Sequence, residues 1–193
     1  MSRFNEADLF LLDKWTDARL LEDGMEQLRK KYEQVVDTML AECQSIHREL
    51  DGSKNGLRSY SGFGLWKTSW PKWRDWQPGF YIEEIRLDNL KLPDFEAPYK
   101  NVWIPNPNPG EVETGLRKTV ERIVTKVESN QWQIHSDKRA TSIWCSIETR
   151  EELCDLLVRD EGQGFVRCMV DHFYSMMQFI PAVTEIVSKY SGK

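Results

Sequence analysis

The sequence predicts an α+β protein, with long amphipathic N- and C-terminal helices packed with a further central helix against a sheet of four to five short, mostly antiparallel strands. Three observations predict it. Residues 5–50 contain no proline, and only Gly24 interrupts a run of good helix formers. From about residue 57, β-type residues come in short runs punctuated by Gly and Pro. From about Gly164 to Tyr190, apolar residues again recur at helical spacing. The 193 residues read as one domain, with a long helix or helix pair over 1–50, a β-rich part over 57–148 that includes a helix over 109–129, and C-terminal helices over 149–190.

In the first helix, Leu21, Met25, Leu28, Tyr32, Val35 and Met39 recur at alternating steps of four and three. A second line through Val36, Leu40, Cys43, His47 and Leu50 widens the buried face of its C-terminal half. Such a seam suits pairing with the last helix or with a second copy of the chain, and so a homodimer. Asp51 to Gly56 is a turn cluster. Strands are expected over Gly62–Ser69, Phe80–Leu87 and Lys100–Ile104, with Pro71, Pro78, Pro93 and Pro98 in the connections, where a missing N–H does no damage.

The central helix has a cap at Asn108, Pro109 at its first position and Glu111 three residues after the cap. Its stripe of Val112, Leu116, Val120, Ile123, Val124 and Val127 would cover one face of the sheet. Gln131–His135 and Thr141–Ile147 read as a hairpin whose second strand alternates Ile143, Cys145 and Ile147 against Trp144 and Ser146. Thr149 with Glu152 forms a capping box that opens a short helix. Gly162 and Gly164 separate it from the last helix, whose broad apolar face runs from Phe165 to Ile186 and which Pro181 should kink.

Composition narrows the function. A hydrophobic fraction of 40% and a charged fraction of 30% are those of a globular chain. The net charge of −5 argues against coating duplex nucleic acid or an anionic membrane over the whole surface. There is no run of 18 apolar residues and no basic, then apolar, leader, which gives the expectation of a cytoplasmic protein without a membrane span. The four cysteines lack the clustered spacing of a disulfide scaffold.

Three constellations carry chemistry. In the tryptophan-rich segment, Trp66, Trp70, Trp73 and Trp76 interleave with Lys67, Lys72 and Arg74. Indole faces with basic neighbours suit a protein or peptide partner, or the bases and phosphates of single-stranded nucleic acid. Core filling beneath a proline-containing connection uses the same residues equally well. Cys43 and His47 on the first helix, and Cys168 and His172 on the last, are each four apart. Each pair therefore shares a helical face, and the two pairs together would make a Cys2His2 zinc set.

The third constellation is acidic: Glu83, Glu84 and Asp88, then Asp94, Glu96 and Lys100, a pattern that a magnesium-dependent nuclease can use. It departs from the PD-(D/E)xK nuclease family, which wants an acidic residue and a lysine separated by one position on a strand. Glu83-Glu84-Ile85-Arg86 offers Arg86 there, and Arg86 cannot lose its proton.

No Gly-rich phosphate loop, Gly-x-Ser-x-Gly elbow, Cys-x-x-Cys or His-Glu-x-x-His occurs. With only three histidines and no implied cofactor, the sequence leans away from an enzyme. It favours a non-catalytic binding or regulatory protein that recognises a protein or peptide through the tryptophan-rich segment. The alternative is a nucleic-acid-binding protein or magnesium-dependent nuclease that uses that segment and the acidic strand.

Overall fold

A run of helix formers broken only by Gly24 carries the chain from Trp15 to Ile46 as one helix, α1. The computed structural model describes residues 14–46, 48, 50–53, 63–72, 77–85, 98–105, 112–118, 132–138 and 140–190. The two halves of α1 have different surroundings. Tyr32, Val36, Met39, Leu40 and Cys43 are buried, whereas Leu20, Leu21, Met25 and Leu28 stand exposed. The heptad seam is therefore split: its C-terminal half packs within the chain, and its N-terminal half presents an apolar stripe to solvent.

Six strands follow: β1 (Asp51–Ser53), β2 (Phe63–Trp66), β3 (Gly79–Glu83), β4 (Tyr99–Pro105), β5 (Gln133–Ser136) and β6 (Ala140–Ser146). Each pairs antiparallel with its neighbours in the order β1-β2-β3-β4-β6-β5. The five expected strands are all present. The sixth, β1, forms where a turn was expected, because an edge strand needs only backbone pairing, and Asp51-Gly52-Ser53 pairs with Trp66-Leu65-Gly64. Between β4 and β5, residues 112–118 form helix α2, with Val112 and Leu116 fully buried. The cap at Asn108 and the remainder of the expected helix lie outside the described residues.

After β6, Thr149 opens helix α3 (Arg150–Val158) with the expected reciprocal capping box. A 3-10 turn (Arg159–Gly162) joins it to α4 (Gln163–Met177). The last helix is not one kinked rod, as the sequence suggested, but two helices, the second being α5 (Ile180–Tyr190). Pro181 cannot donate to Met177, so the ladder ends there. A tighter Phe179 N–H to Met176 C=O bond closes α4, and Val183 N–H to Phe179 C=O starts α5.

Strand alternation divides the sheet into two faces. Phe63, Leu65, Phe80, Ile82, Val102, Ile104, Ile143 and Cys145 form the inner face and are buried against the helices. Phe165, Met169, Phe173 and Met176 of α4 cover its centre, with α1 packed on α4. Tyr32 joins these layers: its ring meets Phe165 edge-on at 6.0 Å and its hydroxyl donates to the Ile85 carbonyl. No helix among the described residues is long and apolar enough to cross a membrane.

Candidate functional site

The outer face of the sheet is where this chain departs from ordinary patterning, because that side of an antiparallel sheet is usually polar. Asn101 sits in the middle of β4, paired with Tyr81 on β3 and Trp144 on β6. Tyr99 and Trp103 stand two residues to either side of it on its own strand. Four rings therefore surround one amide. They touch in diagonal pairs, Tyr81 with Trp103 at 6.5 Å and Tyr99 with Trp144 at 6.0 Å between centroids, both edge-to-face.

Two glycines let Tyr81 lie flat on the sheet. A Cβ at Gly64 would come within 2.5 Å of the Tyr81 ring, and one at Gly79 within 2.8 Å of its hydroxyl. The hydroxyl is held by donation to the Gln77 carbonyl at 3.0 Å. Glu83 ends β3 on the same face and is only 5% exposed. Its carboxylate accepts from the Tyr99 hydroxyl at 2.9 Å and from Asn101 Nδ2 at 3.1 Å. The chain then leaves the sheet through Glu84, which is left-handed at φ 62.

These bonds orient the Asn101 amide. Its Nδ2 must face the carboxylate, which can only accept, so Oδ1 points away. Asn101 is 7% exposed, and its Oδ1 is buried without a hydrogen-bond donor.

Burial, and after it the charge of Glu83, pushes the Tyr81 phenol above its ordinary value of 10.0. The folded state thus holds this proton more tightly than the unfolded chain does. The resulting stability is complete below pH 10 and is lost as the pH climbs above it. In urea unfolding at about pH 9 and about pH 11, the wild type should lose more stability than Tyr81→Phe. Equal losses would refute the assignment.

The tryptophan-rich segment divides. Trp70, at 3% exposure, belongs to the core: its indole N–H donates to Thr184 Oγ1 on α5 at 3.0 Å and its ring meets Phe80 edge-on at 5.6 Å. It cannot serve as a surface contact, because its polar atom and its ring are both used internally. Trp66 is half-buried at the outer-face end of β2, Lys67 is half-buried beside it, and Lys72 is exposed. Trp73, Arg74 and Trp76 lie outside the described residues.

Of the four residues offered for a metal, Cys168 and His172 come together, and their companion is Glu148 rather than Cys43. Cys43 is buried on α1, its thiol pushed up to about 12 by burial and by the neighbouring Glu42 charge. His47 lies outside the described residues. No disulfide joins any of the four cysteines. His172 Nε2 meets Glu148 Oε2 at 2.5 Å. Burial lowers His172 below its ordinary value, outweighing the pull of Glu148. Burial raises Glu148, but the His172 hydrogen bond and charge leave it net below the ordinary carboxylate range. At neutral pH the pair is a neutral imidazole donating to a carboxylate.

Glu83 and Lys100 do not face each other. Glu83 lies on the outer face, whereas Lys100 pairs with Ile82 on the inner one. Its ammonium donates to Ser175 Oγ on α4 at 2.8 Å and lies 4.9 Å from the centroid of the Trp132 ring. Asp88, Asp94 and Glu96 lie outside the described residues.

Tyr81, Tyr99, Asn101, Trp103 and Trp144 are not marked as a group by any one motif in the sequence. The signal was in the alternation: Tyr99-x-Asn101-x-Trp103 puts two aromatic rings on the face opposite Val102 and Ile104. No protein family model, curated protein or solved structure matches this chain. The geometry of this face therefore carries the functional reading by itself.

Proposed function

We propose that this is a non-catalytic binding protein that recognises a protein or peptide partner by enclosing one of its basic side chains. The enclosure is the ring of Tyr81, Tyr99, Trp103 and Trp144 above Asn101 and Glu83. The observation that carries the reading is Asn101 Oδ1, buried and without a donor. An orphaned acceptor of this kind costs about 1–3 kcal/mol, which a ligand N–H would remove. The surroundings select a charged donor. Ring faces attract a cation by about 0.5–2 kcal/mol, and the adjacent carboxylate, which can accept at several lone pairs, deepens the negative potential.

A lysine ammonium or an arginine guanidinium meets all three demands. A quaternary ammonium would satisfy the rings but leave Asn101 unpaired. The net charge of −5 draws a basic partner towards the molecule, and Trp66 at the end of β2 extends the aromatic surface alongside.

Calorimetric titration with short arginine- and lysine-containing peptides tests the reading. Wild-type protein should bind them, and Trp103→Ala with Trp144→Ala should weaken binding by about tenfold or more while the circular dichroism stays unchanged, a loss of about 1.4 kcal/mol. Glu83→Gln keeps the shape and removes the charge, and should weaken binding with a reduced dependence on salt. Equal binding by the folded variants, or no binding by the wild type, would overturn the proposal.

A further inference from the structure

On the helix side of the sheet lies a second polar group that the outer face does not use. We infer that Glu148, Cys168 and His172 form a zinc site with one coordination position left for water or another small ligand.

Two elements build it. Cys168 and His172 are one turn apart on the same face of α4. Glu148 comes from the connection between β6 and α3, held in place by the Thr149 capping box that follows it. One donor atom from each of the three lies within 4.8 Å of the others. This is the residue arithmetic of a site with three protein ligands and an open fourth position, distinct from the closed four-ligand structural centres.

The donors select the metal. A thiolate, an imidazole and a carboxylate together suit zinc, whereas magnesium and calcium want oxygen alone. Thiolate and carboxylate balance the two positive charges, and binding releases the Cys168 thiol proton to solvent. Asp171 on α4 and Glu152 on α3 add negative field around Cys168, and Lys100 on β4 faces His172 with the opposite sign.

The adjustment needed is small. Donor atoms bound to tetrahedral zinc at roughly 2.0–2.2 Å stand roughly 3.3 Å apart, so Glu148 must withdraw a little from its 2.5 Å contact with His172. The Glu148 side chain is 34% exposed and on a connection, whereas His172 is 16% exposed and fixed on a helix. The carboxylate is the part that moves, and water has access to the remaining position.

The test uses the full chain stripped with a chelator and titrated with Zn(II), and with Co(II) as a spectroscopic stand-in. One equivalent should bind, and the cobalt form should show a thiolate-to-metal charge-transfer band together with the strong visible absorption of a tetrahedral ion. Cys168→Ser should abolish the charge-transfer band, and His172→Ala should weaken zinc binding on the order of a hundredfold or more. Zinc should also protect Cys168 from alkylation in the wild type, read by peptide mapping, which settles the matter should a variant fail to fold. Failure to take up one equivalent, an unchanged spectrum and affinity in both folded variants, or protection at Cys43, Cys145 or Cys154 instead would overturn the inference.

Discussion

Trp70→Ala is expected to destabilise the protein by about 3–5 kcal/mol, a large share of the about 5–15 kcal/mol that holds an ordinary domain folded. The indole is 3% exposed and bridges both layers, packing on Phe80 of β3 while its N–H reaches Thr184 on α5. Alanine would leave a cavity where the largest side chain had been. Trp70→Phe keeps most of the packing and gives up the hydrogen bond, whose acceptor Thr184 is exposed and turns to water. Its cost should be nearer 1 kcal/mol. Urea unfolding of both variants measures this ordering. A near-neutral Trp70→Ala would show that the segment is not anchored in the core.

Gly162→Ala should be the second severe change, at about 2–4 kcal/mol. Gly162 ends a run of three left-handed residues, with Asp160 at φ 49, Glu161 at φ 54 and Gly162 itself at φ 87. Two penalties coincide there. Any L side chain is strained at that φ, and an added Cβ would stand 2.6 Å from Val35 Cγ2 on α1. The glycine thus permits both the turn into α4 and the close approach of α1. Trimming the neighbour removes only the second penalty, so Val35→Ala combined with Gly162→Ala should cost less than the sum of the single changes. A coupling of about 0.5–3 kcal/mol is the expected range for residues in contact. Strict additivity would show that Val35 does not crowd this position.

Local rules wrote most of the fold into the sequence. The capping box at Thr149 and Glu152, the alternation of Ile143 and Cys145 against Trp144, and Pro71, Pro78 and Pro98 between strands each act over a few residues, and each appears in the structure where the sequence implied it, while Pro93 lies outside the described residues. Pro181 shows the limit of such rules. The missing donor was legible, but whether the chain bends or breaks depends on Phe179 finding a buried seat and a new hydrogen bond at Met176. In the same way, the apolar seam of α1 is uniform in sequence, and which half is covered depends on where α4 packs against it.

The sites were less legible because they arise between elements. The four rings around Asn101 come from β3, β4 and β6, and β6 becomes the neighbour of β4 only through a strand order that no local pattern encodes. The i and i+4 spacing of Cys168 and His172 did mark a shared face. Glu148 could not be added from spacing, since it meets them 24 residues from His172 through the turn into α3. Trp70 carried a signal that two readings shared, and burial decided between them.

The central claim is that the outer face reads a positive charge on a partner side chain. A tryptophan-fluorescence titration of the wild type with two peptides that differ only in arginine versus citrulline tests it most directly, because citrulline keeps the shape and most of the N–H donors but lacks the charge. Saturable quenching by the arginine peptide, lost in Trp103→Ala, is expected, with binding by the citrulline peptide at least about tenfold weaker, or about 1.4 kcal/mol. Equal affinity for the two peptides, or no response to either, would contradict it.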